Sequence, residues 1–99
     1  MSERTAPALD TIDQLLPILK ARPDAPERER LIEETEAMRR AVAAFHMEAI
    51  RFRMHNVDRL IKLTGDDAAS RDALEHVRQA LEAAGFHTRS HAAPDVKTT

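Results

Sequence analysis

The chain has 99 residues, which is enough for one compact domain with one core. It has no cysteine, which excludes disulfides and thiolate chemistry, and its net charge of −2 is too balanced to indicate a dedicated nucleic-acid binder. Because no signal segment opens it and no apolar run approaches the ~18 residues of a membrane span, we expect a cytoplasmic protein that does not contact a membrane.

Both ends of the chain are polar and lack helical periodicity. Residues 1–8 carry scattered charges and Pro7, and residues 87–99 read HTRSHAAPDVKTT. Such segments bury too little apolar surface to fold alone, so we expect disorder in both. The folded part is then predicted to be a single three-helix domain spanning residues 9–86.

The first helix is predicted to start near Asp10 or Thr11, either of which can cap a first turn. Its apolar residues recur at helical spacing: Leu9, Ile12, Leu15, Leu16 and Leu19. Pro17 lies inside this pattern and predicts a kink or an early stop, because proline removes a backbone donor. The two prolines in residues 21–26 predict a turn.

The centre of the chain, from Glu27 to Leu63, contains neither glycine nor proline and is rich in Glu, Arg, Ala, Leu and Met. This composition predicts one long helix. Its acidic residues concentrate at the start and its basic residues at the end, which suits the helix dipole. Gly65 predicts the stop, since glycine adopts the left-handed cap conformation easily.

The last helix is predicted from Ser70 to Ala84, with Leu74, Val77 and Leu81 on one face. Ser70 or Asp67 can cap its start. Gly85 followed by Phe86 is typical of a helix end at which an apolar residue folds back onto the last turn.

These elements predict an all-α fold with a long central helix flanked by two shorter antiparallel helices. If residues 27–63 form one continuous helix, their apolar side chains cover a wide arc around the helix axis. A single packed helix would bury a stripe of only roughly 100°. The excess favours a homodimer that forms a helical bundle, with a coiled-coil-like interface. The predicted interface residues are Met38, Val42, Phe45, Ala49, Phe52 and Asn56. In the alternative, a monomer, the two flanking helices cover different sides of the arc.

One row of polar residues runs inside the apolar arc, because Arg39, His46 and Arg53 recur every seven residues. In a half-buried groove these donors could hold a carboxylate or phosphate ligand, which keeps an enzymatic role open. In the simpler interpretation, which we favour, the arginine stems cover apolar surface while their charged ends reach water, and Asn56 sets helix register.

Metal and nucleic-acid sites have little support in the sequence. His46 and His55 are nine residues apart on a helix, and His87 and His91 lie in the polar tail, so we predict no metal site and no cofactor. A basic stripe that could follow a phosphate backbone is interrupted by Glu48 and Asp58. Its members are Arg40, Arg51, His55, Arg59 and Lys62.

Enzyme signatures such as a glycine-rich phosphate loop or a nucleophile elbow do not occur in the sequence. We therefore predict no catalytic residue. The preferred hypothesis is a non-catalytic homodimer that acts through protein contacts as a regulator, adaptor or assembly factor. The alternatives are a bundle that binds an anionic small molecule through Arg39, His46 and Arg53, and a metal-binding helical protein.

Overall fold

The computed structural model describes residues 4–23 and 26–86, and this part of the chain forms four α-helices. They are α1 (Ala6–Lys20), α2 (Arg28–Ala43), α3 (Met47–Leu63) and α4 (Ala68–Ala83). The all-α class is confirmed, but the prediction of one long central helix flanked by two others is wrong. Of the two segments in which we predicted disorder, residues 1–3 and 87–99 lie outside the described residues, whereas residues 6–8 form the start of α1.

Helix α1 starts earlier than predicted, at Ala6, with Pro7 in its first turn. Proline is tolerated there because the first amides of a helix have no helical acceptor. Pro17 does not end the helix, and the Ala21 amide donates to the Pro17 carbonyl at 3.0 Å. Because Pro17 is solvent-exposed, water can reach the Asp13 carbonyl that loses its helical donor.

The predicted central helix is divided between α2 and α3 by a corner at residues 44–46. Phe45 adopts a left-handed conformation with φ 60°. Its amide donates to the Val42 carbonyl and the His46 amide donates to the Ala41 carbonyl, both at 3.0 Å. These are the two hydrogen bonds of a Schellman helix end. His46 then turns extended, and its Nδ1 accepts a hydrogen bond from the Ala49 amide at 3.2 Å, which caps α3.

The contacts of the Phe45 ring explain why a bulky residue occupies this position. Its ring meets that of Phe86 edge to face, with centroids 4.9 Å apart, and the Arg4 guanidinium lies 5.3 Å from its centroid. A left-handed non-glycine residue costs about 1–2 kcal/mol. An aromatic pair contributes about 0.5–1.5 kcal/mol beyond buried area, so the ring contact offsets much of this strain.

The ends of α3 and α4 follow the predicted pattern. Gly65 has φ 120° just beyond the end of α3, and Gly85 has φ 97° beyond α4. The Phe86 amide donates to the Leu81 carbonyl at 2.9 Å, and Phe86 is buried, which confirms the apolar residue folding back. Asp67 caps α4 by accepting from the Ser70 amide at 2.9 Å.

The core draws on all four helices. Helix α1 packs against α4 and α2, α2 packs against α3, and α3 touches α4 only slightly. The first and last helices are therefore neighbours, and Arg4 Nη2 donates to the Ala84 carbonyl beside the start of α1. The largest fully buried side chains are Ile12, Leu15, Leu19, Leu31, Met38, Val42, Ile50, Met54, Leu60, Ile61, Leu74 and Leu81.

The corner also explains the wide apolar arc. Continued at 100° per residue, the buried residues of α3 would lie roughly 100° around from those of α2. Representative members are Leu31, Met38 and Val42 of α2 and Ile50, Val57 and Ile61 of α3. Each helix thus has one apolar stripe of ordinary width. Because the chain changes direction at the corner, both stripes face the same core. The width of the arc no longer argues for a second subunit, and the homodimer stays a prediction.

Candidate functional site on the outer face of helix α3

The predicted ligand row is distributed over three separate elements. Arg39 lies in α2, His46 caps α3, and Arg53 lies within α3. The seven-residue spacing aligns them only on an unbroken helix, so the corner at residues 44–46 removes the geometric basis of the row. The surroundings of each side chain show what it does instead.

Arg39 fastens α2 to α1. Its Nε and Nη2 donate to the two carboxylate oxygens of Asp13 at 2.7 and 3.1 Å, a bidentate pair. The hydrogen bond from Arg39 holds the pKa of Asp13 below its usual value, and the same bond raises the pKa of Arg39. This fork of the guanidinium is occupied by a carboxylate of the chain itself.

Arg53 fastens α3 to α2 in a similar way. Its Nη1 lies 3.1 Å from both carboxylate oxygens of Glu34, and Asn56 Nδ2 donates to Glu34 Oε1 at 3.0 Å. Burial by itself would raise the pKa of Glu34, but the hydrogen bonds from Asn56 and Arg53 outweigh it, so the pKa lies below its usual value. Asn56 therefore belongs to an interhelical network within one chain.

His46 is solvent-exposed, and its ring serves as the cap of α3. Its ring nitrogen is engaged by the backbone, and neither predicted arginine is among its hydrogen-bond partners in the described part of the chain. The structure thus gives Arg39, His46 and Arg53 three separate structural tasks. Sequence reasoning missed their partners Asp13 and Glu34, because ion pairs between helices depend on the packing.

The predicted interface residues divide into buried and accessible sets. Met38 and Val42 are fully buried in the chain's own core, and Ala49 packs against that core. Phe45 and Phe52 are accessible, with 46% and 59% of their surface exposed. The first two residues cannot meet another molecule while the core is intact.

The largest exposed apolar groups on α3 are Phe52 and Leu63, of which Leu63 is 65% exposed. An eleven-residue separation places the two roughly 20° apart around the helix and about 16 Å apart along it. Arg59 lies between them on the same side and is exposed. We call the surface formed by Phe52, Arg59 and Leu63 the outer α3 face.

The predicted basic stripe is interrupted by the same corner, which places Arg40 on α2 and the other four residues on α3. Within α3, Lys62 pairs with Asp58 at 3.3 Å. For metals, residues 4–23 and 26–86 contain no group of three or more His, Asp or Glu placed to hold an ion. His87 and His91 lie outside the described residues.

Comparisons of this chain with protein-family models, with curated proteins and with solved structures give no match. None of the four described helices is long and apolar enough to cross a bilayer. The function must therefore be argued from the surface of the molecule itself.

Proposed function

We propose that the protein is a non-catalytic helical homodimer that acts through protein contacts, and that the outer α3 face forms its interface. The observation that carries the proposal is the exposure of Phe52 and Leu63 on one side of a helix. Two large apolar groups on one accessible face gain free energy when another surface covers them, because water is removed from both.

The arrangement of these residues suits a second copy of the same chain. In a two-fold contact the pairing is reciprocal: if one residue meets a second residue of the partner, the second residue also meets the first of the partner. Two antiparallel copies of α3 would place Phe52 against the partner's Leu63 and Leu63 against the partner's Phe52. Arg59 of each copy would lie near Asn56 of the other and within reach of the other Arg59.

The anion-binding alternative receives less support from the geometry. The guanidinium groups of Arg39 and Arg53 are already bonded to Asp13 and Glu34. An anionic ligand would have to displace both carboxylates and break the links between helices. The pattern is that of structural ion pairs, which is why we place the function on the apolar face.

The test is the molar mass of the protein from micromolar to millimolar concentration, by light scattering and sedimentation. We expect the wild type to dimerise and the variant with both Phe52→Glu and Leu63→Glu to remain monomeric. Because both side chains are exposed, circular dichroism should show an unchanged helix content. Ala69→Glu, an exposed site in the first turn of α4, adds a charge away from the face and should leave the dimer intact.

The absence of cysteine from the chain permits a second measurement. A single Arg59→Cys variant should cross-link to its own copy with a short bismaleimide, whereas Ala69→Cys should not. A wild type that stays monomeric at millimolar concentration, or a double variant that dimerises as well as the wild type, would refute this interface.

A further inference from the structure

The outer α3 face has an arginine between its two large apolar groups. Arg59 is exposed, and its side chain has no ion pair or hydrogen bond in the described part of the chain. Lys62, on the next turn, differs because it pairs with Asp58 at 3.3 Å. Glu48, the other acidic residue of α3, lies about 16 Å from Arg59 along the helix. The charge of Arg59 therefore has no counter-charge bonded to it within the described chain.

A second exposed donor stands one helical turn before this arginine. His55 lies four residues before Arg59, and residues at this spacing have Cβ atoms about 5–6 Å apart. The two side chains lie on the same side of the line from Phe52 to Leu63. The ring of His55 is also exposed and has no hydrogen bond in the described part of the chain. One guanidinium and one imidazole can thus approach the same ligand.

The next step rests on the proposed homodimer. When Phe52 packs against Leu63 of an antiparallel copy, the two-fold axis passes midway between these positions along α3. Arg59 then lies about 2 Å from the axis along the helix and His55 about 4 Å on the other side. Because the axis keeps one edge of the interface on the same edge in the copy, two Arg59 and two His55 side chains meet there.

Two guanidinium groups so placed oppose association, because like charges repel more strongly as water between them is displaced. A doubly charged anion between them converts this repulsion into attraction. Guanidinium donors match the oxygens of phosphate and sulfate, and each neutral imidazole donates one further N–H. Both side chains are exposed in the single chain, so an anion reaches their donors without any rearrangement of the core.

We infer that the dimer binds one divalent oxyanion of the phosphate or sulfate class on its two-fold axis, between Arg59 and His55 of both copies. We call this the dyad site. A single chain supplies only half of its donors, so the complete site exists in the dimer alone. It is distinct from the predicted row Arg39, His46 and Arg53, whose two arginines are bonded to carboxylates of the chain itself.

The dyad site makes dimerisation depend on the concentration of the anion. A ligand that binds the dimer and not the monomer strengthens association as its concentration rises. An anion at about ten times its dissociation constant should strengthen dimerisation about tenfold. The level of phosphate or of a phosphomonoester would then regulate how much of the protein is dimeric.

The experiment is sedimentation of the full chain in sodium sulfate and in sodium chloride at equal ionic strength. The wild type should dimerise about tenfold more tightly in sulfate. Arg59→Gln removes both the repulsion and the donors, so it should dimerise equally in the two salts and more tightly than the wild type in chloride. Its side chain is exposed and unbonded in the described chain, so the fold should be unchanged.

A matched control separates binding from the general effect of sulfate, which strengthens apolar burial because it is excluded from protein surfaces. Arg40→Gln, an exposed arginine of α2, changes the net charge equally and should respond to sulfate as the wild type does. Calorimetric titration of the wild-type dimer should give one sulfate for every two chains.

Titrations with inorganic phosphate and glycerol phosphate distinguish the source of the anion. A response to both compounds supports a site open to phosphomonoesters, and a response to inorganic phosphate alone supports a site that encloses the ion.

The failure of the dyad site differs from the failure of the homodimer. A wild type that dimerises equally in sulfate and chloride, or an equal response of Arg59→Gln and Arg40→Gln to sulfate, would overturn the dyad site and leave the interface standing. A wild type that stays monomeric in every salt would overturn both.

Discussion

The two corners on either side of α3 perform the same task with different residues. The α2–α3 corner uses Phe45 at φ 60° and the imidazole of His46 as the cap. The α3–α4 corner uses Gly65 at φ 120° and the carboxylate of Asp67, which accepts from both the amide and the hydroxyl of Ser70. The second corner is thus built from residues that favour a turn locally, whereas the first is not.

The difference shows where the stabilisation of a turn can come from. Glycine reaches the left-handed region without a steric penalty, so Gly65 needs no help from distant residues. The left-handed conformation is unfavourable for Phe45, and the contacts of its ring with Phe86 and Arg4 stabilise it. The left-handed residue of the α2–α3 corner therefore depends on tertiary contacts, whereas the left-handed Gly65 of the α3–α4 corner does not.

The largest effect should come from removing the support of the α2–α3 corner. Phe86→Ala deletes a buried ring that is 3% exposed, and a truncation of this kind typically costs about 3–5 kcal/mol. Denaturant unfolding measures this loss. Hydrogen exchange should show faster exchange of the amides of residues 45 and 46, and equal protection in variant and wild type would contradict the dependence on Phe86.

The next effect concerns the glycine of the other corner. Gly65→Ala should destabilise the protein by about 1–3 kcal/mol, because a left-handed φ strains any residue with a Cβ. Crowding is not the cause, since the atom nearest to the added methyl group, Arg22 Nη2, would be 3.5 Å away. Urea unfolding gives the value, and Ala68→Gly in the first turn of α4 serves as a control for altered backbone entropy.

The two caps should differ in strength. As a cap alone, Asp67 should contribute about 1–2 kcal/mol and His46 about 0.5–1 kcal/mol, and Asp67→Ala should cost more than its cap because it also removes the ion-pair partner of the buried Arg22. Asp67 accepts at 2.9 and 2.8 Å, and His46 accepts one bond at 3.2 Å. A larger loss for His46→Ala than for Asp67→Ala in parallel urea titrations would reverse the comparison.

The difference in stability between two variants of Phe45 is small, but its sign gives the sharpest test of the α2–α3 corner. Phe45→Ala and Phe45→Gly both delete the ring, but glycine relieves the left-handed strain, so Phe45→Gly should be the more stable by about 1 kcal/mol. On an unbroken helix the order is the opposite, with alanine favoured by about 1 kcal/mol. Chemical denaturation of the two variants thus distinguishes a corner from a continuous helix.

The Asp67 cap should also make the stability of the protein depend on pH. Burial by itself would raise the pKa of Asp67, but the hydrogen bonds from Ser70 and the charge of Arg22 outweigh it and hold this pKa below its usual value. A carboxyl group whose pKa is lower in the folded state than in the unfolded state stabilises the protein at pH values above its unfolded-state pKa. This stabilisation is lost as the pH falls through the folded-state pKa. Stability should therefore decrease below about pH 4, and less steeply in Asp67→Asn, which retains a capping oxygen. Asp13 and Glu34 should account for the residual acid dependence.

The sequence was sufficient where local chemistry determines the structure. The ends marked by Gly65 and Gly85 and the cap at Asp67 were all predictable, because these residues favour a turn or a cap in any context. Nothing comparable marks residues 44–46, whose neighbours are alanines and a methionine. The available signal was the apolar arc, which shifts by roughly 100° at this point and which we attributed to a partner chain.

The candidate sites were less predictable for the same reason. The alignment of Arg39, His46 and Arg53 required an unbroken helix, and their carboxylate partners lie on helices whose packing the spacing did not specify. The contacts of Arg22 with Thr64 and Asp67 likewise join two connections that are distant in the chain. Short sequence motifs do not predict such tertiary contacts, which form only when the two connections pack against each other.

The pairing of the first helix with the last has a consequence for how the chain could be rearranged. Arg4 bonds to the carbonyl of Ala84, so the two ends of the described fold lie side by side. A circular permutant that joins these ends and opens the chain at the α3–α4 corner would keep every helix and its neighbours. The order in which the helices are synthesised would change, while the architecture would remain the same.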